Sequence, residues 1–344
     1  KRGIMIVSTC HDSVNALSGL ACGDGHAAPA PFDRAEWYAL LAETGLVPLV
    51  AMAQDGDAHA ALALTETHGR IAPLRNWYSF TWRQLAPPGE RGDRLLAEIA
   101  RQLKTRGHRV TLAPVPEEDG SASRLARAFR AAGWRVEVTL CDINHVLHLR
   151  GRSFAEYWAD RPGRMRTTLK RKAKKVETRI LESFDPQLWA AYEDIYAESW
   201  KPEEDFPAML RSFAQAEGAA GRLRFGMAWH QGEPVAAQCW TVEGGTAFIH
   251  KLAHRESHRQ LSAGTTLTAA LFEHVIDRDR VGTIDFGTGD QPYKADWMEE
   301  IRPRYRIDCL AMGRARAWID LARLAGRRLS EPDVPELAPA PLAG

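Results

Sequence analysis

Between residues 247 and 297 the sequence reads as strand, tight turn, helix, strand and polar cluster, an order that few folds accept. Two strand-like runs, 247–252 and 282–286, flank the turn Leu261-Ser262-Ala263-Gly264-Thr265, whose small and hydroxyl residues suit a helix start. Strand–turn–helix–strand is a βαβ unit, and its helix N-terminus offers unpaired N–H groups and a partial positive charge to phosphate oxygens. The second strand runs into Asp285-Phe286-Gly287-Thr288-Gly289-Asp290-Gln291-Pro292-Tyr293-Lys294. Ligand sites in α/β folds lie at strand ends of this kind. The order points to a phosphate-bearing donor beside a proton-transfer site.

The chain of 344 residues suits two domains of about 150 residues, each able to bury a core. With 26% charged residues and a net charge of +1, global charge selects neither nucleic acid nor membrane, so any basic bias is local. Five scattered cysteines without a CxxC fit a reducing compartment better than a disulfide scaffold or structural zinc. His254 and His258 are four apart but lack a third ligand, so no metal is expected. No apolar run reaches the roughly 18 residues a membrane span needs. The chain is expected to be cytoplasmic or peripheral on the inner face of a membrane. GxSxG, a GxGxxG after a strand and a Walker motif are all missing, which argues against esterase-type hydrolysis, nucleotide redox and phosphoryl transfer.

Residues 1–31 read as a loose lead-in and 331–344 as a disordered, Pro-rich tail. Between them strands and helices mix, giving an α+β (mixed α/β) fold in two halves, 32–144 and 145–330. In the first half helices are expected at 34–44, 92–106 and 121–132, with strands at 47–53, 58–66, 77–82, 109–114 and 134–140. In the second, Ser153 caps a short helix at 154–160, and a basic helix follows at 164–177. A strand at 180–184 and helices at 186–200 and 206–217 precede an antiparallel set at 222–230, 234–242 and 246–252. After the βαβ unit come a strand at 305–312 and a helix at 314–329.

The hairpin QGEPVAAQCW at 231–240, the run from His250 to Ile276, the segment DFGTGDQPYKADW at 285–297 and the basic run at 161–177 together resemble the FemAB-like acetyltransferases. These are relatives of the GNAT acyltransferases, often named for a cellulose-biosynthesis protein. The resemblance spans residues 32–312. It implies tandem GNAT-like halves, each a mixed, mostly antiparallel sheet flanked by helices. It also implies N-acyl transfer from a thioester donor, acyl-CoA, to an amine, either a long-chain sphingoid-type lipid amine or an amino sugar. The GNAT phosphate pattern is Arg/Gln-x-x-Gly-x-Gly/Ala. Gln260 takes its first place, Ala263 and Thr265 stand at the glycine places, and Gly264 lies between them.

On this reading the donor turn is Gln260, Leu261, Ser262, Ala263, Gly264, Thr265 and Thr266, which also reads as an ordinary helix start with Ser262 as N-cap. Amine acylation needs a base for the ammonium proton, donors for the oxyanion and a proton for the leaving group. Asp285 and Asp290 are candidate bases if burial raises their pKa. His250 is a third, because imidazole titrates near neutrality. Tyr293 is the candidate acid, and Lys294 a partner for phosphate or aspartate. Strand alternation is expected to send His250 and Lys251 to opposite faces, so at most one meets the cleft. Trp200 is a candidate pocket wall. Seven cations fall within 164–175, among them Lys170, Arg171 and Lys174, over a narrow stripe of Met165, Leu169, Ala173 and Val176. Such a face suits anionic lipid, a donor phosphate or RNA. Two other readings stay open. One is a FemAB-type aminoacyltransferase using aminoacyl-tRNA, the other a non-catalytic polysaccharide- or lipid-binding subunit.

Overall fold

A computed structural model describes residues 6–18, 20 and 30–328, so the expected tail at 331–344 lies outside the described residues. The strands are β1 (Val7–His11), β2 (Leu49–Asp55), β3 (Ala58–Thr67), β4 (Arg70–Pro73), β5 (Arg109–Pro116) and β6 (Arg135–His148). They continue as β7 (Glu177–Leu181), β8 (Leu223–His230), β9 (Glu233–Glu243), β10 (Thr246–His254), β11 (Thr283–Thr288) and β12 (Glu300–Leu310). The helices are α1 (Ala35–Glu43), α2 (Gly89–Arg106), α3 (Ser121–Ala131), α4 (Phe154–Ala159) and α5 (Gly163–Lys172). They continue as α6 (Pro186–Ala197), α7 (Pro207–Ala219), α8 (Ala263–Glu273), α9 (Pro292–Trp297) and α10 (Ala315–Arg328).

All twelve strands join one sheet in the order β1-β2-β3-β4-β5-β12-β6-β11-β10-β9-β8-β7. Among the described strands, only β4–β5 and β10–β11 are parallel pairs. Each is bridged by one helix, α2 in the first half and α8 in the second, so the βαβ unit occurs once per half. The fold is the expected mixed α+β arrangement of tandem halves, fused edge to edge. The expected division at 144/145 falls inside β6, and β12 crosses back to pair with both β5 and β6.

Three local expectations are corrected. Residues 7–11, read as part of a loose lead-in, form an edge strand on β2. Residues 77–82 are not a strand. Asn76 Oδ1 accepts from the Tyr78 amide at 3.1 Å, a local side-chain bond that competes with a ladder, and the Trp82 amide donates alone to Pro114. The basic helix ends at Lys172 rather than 177, because Glu177–Leu181 is claimed by the sheet as β7. The Ser153 cap is present: its hydroxyl accepts from the Glu156 amide, and Glu156 bonds back to the Ser153 amide.

Two apolar cores lie against this sheet. One joins α1, α2 and α3 to α6 and α7 and contains Phe32, Phe80, Phe213 and Phe248. The other surrounds α4 and α8 with Tyr157, Leu267, Phe272, Phe286 and Trp297.

Candidate active site

β10 and β11 pair at only three positions, the last Phe248 with Asp285, although the strands run on to His254 and Thr288. Beyond that point they splay. A cavity of about 270 Å³ opens there, lined by Leu252 and His254 of β10, Phe286 of β11, Gly264 and Thr265 of α8, and Tyr293 and Trp297 of α9. The start of α8, through Gly264 and Thr265, and Tyr293 of the segment after β11 therefore face one space.

The amides of Ala263, Gly264 and Thr265 open α8 and have no intrahelical carbonyl to bond; the first that does is Thr266, to Ser262 at 3.1 Å. Ser262 holds φ +52°, and its side chain caps nothing. Its hydroxyl instead accepts from Lys172 Nζ at 2.9 Å, so the basic helix puts one cation at the helix N-terminus. The Gly264 carbonyl is fixed by Gln238 Nε2 at 3.1 Å and by the Thr268 hydroxyl at 2.8 Å. A Cβ on Gly264 would stand 3.4 Å from His254 Nδ1, an ordinary contact, so the protein's own packing does not demand glycine; the space it leaves belongs to the cavity. Ala263 turns its methyl into the second core, and that departure from the glycine pattern does not obstruct the amides. Leu261 is core as well, Gln260 is exposed, and the Thr266 hydroxyl donates to Ser262. These features fit a phosphate-bearing donor.

Tyr293, 42% exposed, lines the cavity with its ring 5.7 Å from Phe286, and partial burial raises its pKa. Lys294 is buried, with Nζ donating to the Gly287 and Thr288 carbonyls; burial lowers its pKa to about 8. Asp285 points toward β6 rather than the cavity. It accepts from Asn144 Nδ2 at 2.9 Å and from the Gly287 amide at 2.7 Å, and burial raises its pKa. Gly287 has φ +71°, and a Cβ there would press on Phe80 at 3.0 Å, so glycine is required for that turn. Asp290 is 79% exposed, 3.5 Å from the buried His145.

The alternation expected of His250 and Lys251 fails. The register to β9 slips between Ile249 and Lys251, a bulge with His250 as the extra residue. Both side chains consequently lie on the face of the first core. His250 sits among Phe32, Phe80 and Phe213, with ring centroids at 5.0–5.9 Å, and Nε2 shares a 2.7 Å hydrogen bond with the Thr241 hydroxyl. Burial lowers its pKa to about 3. Because that value lies below the roughly 6.5 of a free imidazole, neutral His250 supports the fold fully above about pH 6.5, and this support is lost as pH falls toward 3. His250→Phe is expected to flatten the acid side of a plot of thermal midpoint against pH; an unchanged slope would refute that origin.

Lys251 meets Glu204 at 2.8 Å over the rings of Trp77 and Tyr78. Trp200 lines the cavity, 4.4 Å from the His254 ring. Lys170, Arg171 and Lys174 face solvent. Three residues at the site carried no recognisable sequence signal for this role: Lys172, one cation among seven; Gln238, inside an apolar strand; and His254, whose spacing invited only a metal reading. His254 has its pKa lowered by burial, which keeps the ring neutral near pH 7.

Residues 163–295, which include this cavity's turn and cluster, match the family model for an acetyltransferase (GNAT) domain. The structure is similar to that of FemX, at 10% identity and a TM-score of 0.62 over 88% of this chain and 97% of that one. The L-PGS of Bacillus licheniformis aligns at 12% and 0.55, over 89% and 99%. A tandem GNAT protein of the clavulanic acid biosynthesis pathway aligns at 14% and 0.51, over 88% and 98%. No curated protein matches by sequence. Residues 163–295 are thus similar to a GNAT acetyltransferase domain, and the whole chain has a fold similar to that of tandem GNAT proteins.

Proposed function

We propose that the second half transfers an acyl group from acyl-CoA to a primary amine by direct attack. The observation that carries this is the cavity where β10 and β11 part, closed at one end by the free amides of α8. The donor's pyrophosphate would lie on those amides beside Lys172, with the thioester in the gap. Past Phe248 the edge of β10 has no partner in β11, which leaves backbone donors for the oxyanion. Neutral His254 takes the proton of the attacking ammonium. The amine nitrogen bonds to the carbonyl carbon and the C–S bond breaks; Tyr293, kept protonated by its raised pKa, gives its proton to the thiolate, and the nitrogen's second proton passes to the tyrosinate, leaving a neutral amide and a free thiol.

A second cavity, of about 710 Å³ between α6 and α7, supports a long-chain amine as acceptor. Trp189, Tyr192 and Tyr196 form an apolar wall with Lys201 and Arg211 beside Glu193, Glu203 and Glu204; Glu193 pairs with Arg211 and Glu204 with Lys251, so Glu203 is the carboxylate suited to a cationic head. Calorimetric titration with CoA, followed by CoA release in the presence of long-chain amines and amino sugars, tests the reading. Failure to bind CoA and to release it with either amine class would overturn it. Tyr293→Phe is expected to lower kcat about a hundredfold with little change in donor KM. An equal loss in kcat and gain in KM would instead indicate a binding role.

The solvent-facing Lys170, Arg171, Lys174 and Lys175 beside the donor turn support a second reading, an aminoacyl-tRNA donor. It predicts RNA binding that falls steeply with salt, is lost when Lys170, Arg171 and Lys174 become alanine, and is accompanied by no affinity for CoA.

A further inference from the structure

Helix α10 leaves Trp318 59% and Ile319 54% exposed, side by side. Ala315 and Ala322 extend the same exposed face, and Arg316 and Arg323 flank it. Trp318 Nε1 already donates to the Met312 carbonyl at 3.1 Å, so the rest of its ring offers water only carbon. Beside this face lies a cavity of about 510 Å³ lined by Arg70, His108, Arg316, Ile319, Asp320 and Arg323. Arg70 and Arg323 meet Asp320 Oδ1 at 2.5 and 3.5 Å, and His108 meets Oδ2 at 3.2 Å. Three arginines against one aspartate leave the cavity positive. Adjacent large apolar groups rimmed by cations form the pattern of a helix that lies in a lipid interface.

We infer that this face of α10 docks on an anionic bilayer, with Trp318 and Ile319 in the headgroup–acyl boundary and the basic cavity receiving a lipid phosphate. Ile319, Ala315 and Ala322 have no stacking face, which argues against nucleic acid. The α5 helix, where the sequence suggested lipid contact, is less suited. Its apolar stripe is consumed by the core, with Met165 and Val176 buried and Leu169 packed on them, so it offers charge alone. No helix among the described residues is long and apolar enough to cross a membrane, so the contact is peripheral.

Sedimentation of the full chain with vesicles tests this. Phosphatidylcholine containing about 30% phosphatidylglycerol is expected to bind at least about tenfold more strongly than phosphatidylcholine alone. Trp318→Ser with Ile319→Ser should weaken binding about tenfold, and Arg316→Gln and Arg323→Gln about fivefold each. Since all four side chains are exposed, thermal midpoints should stay at the parent value. Vesicle binding unchanged by these substitutions, or lost on Lys170, Arg171 and Lys174 replacement instead, overturns the inference. Self-association abolished by Trp318→Ser, with no vesicle binding by the parent, gives the face to a second copy and also overturns it.

Discussion

Lys251→Met is expected to destabilise the protein by about 3–5 kcal/mol, because it leaves a buried carboxylate without its cation. Lys251 is 4% exposed; its ammonium lies 2.8 Å from Glu204, 3.9 Å from the centre of the Trp77 ring and 4.3 Å from that of Tyr78. The Tyr78 hydroxyl donates to the same carboxylate, so Glu204 has two partners in this box. Glu204→Gln should cost less, about 1–2 kcal/mol. Burial has already lowered the Lys251 pKa to about 8, and shedding the proton altogether near pH 7 costs only about 1.4 kcal/mol per further unit. The combined Lys251→Met and Glu204→Gln protein should regain much of the loss, since two neutral groups can share the aromatic box. Chemical denaturation of the four proteins measures this, and equal losses from both single substitutions would refute the asymmetry. The pH sign follows from the same shift. The folded pKa of Lys251 lies below its unfolded value of about 10.4, so stability is held back below pH 8 and rises between about 8 and 10.4. Lys251→Met should show a smaller rise.

The βαβ unit was legible because every local cue agreed: strand composition, turn residues, helical period and strand again. Its cavity was not, because it depends on where pairing between β10 and β11 stops, and no local pattern encodes that. The bulge at His250 shows the same limit at one residue. Alternation separates His250 from Lys251, yet one unpaired position returns both to a single face and encloses His250 in aromatic rings. Residues 77–82 carried strand composition, but their aromatics serve as separate anchors, and the Asn76 side chain captures an amide that a ladder would need. Lys172 is set apart from its six neighbouring cations by being half-buried and by reaching Ser262, a contact across 90 residues. Asp285 looked catalytic for its place after a strand; Asn144 and Gly287, one of them from another strand, turn it into a staple.

Gly264→Val is expected to weaken CoA binding at least about a hundredfold, about 2.7 kcal/mol, while leaving the fold intact. Gly264 has no left-handed φ, and helix propensity slightly favours valine over glycine, so stability should not fall. The new Cβ would stand 3.4 Å from His254, and the two γ-methyls would occupy the part of the 270 Å³ cavity next to the first amides of α8. The carbonyl side cannot swing away to make room, because Gln238 and Thr268 both hold it. Gly264→Ala adds only the Cβ and should cost less, about tenfold. A graded loss from glycine to alanine to valine, at constant thermal midpoint, would place the donor's phosphates on this turn. If the valine protein binds CoA like the parent, the donor lies elsewhere, and the glycine serves only the helix that it begins.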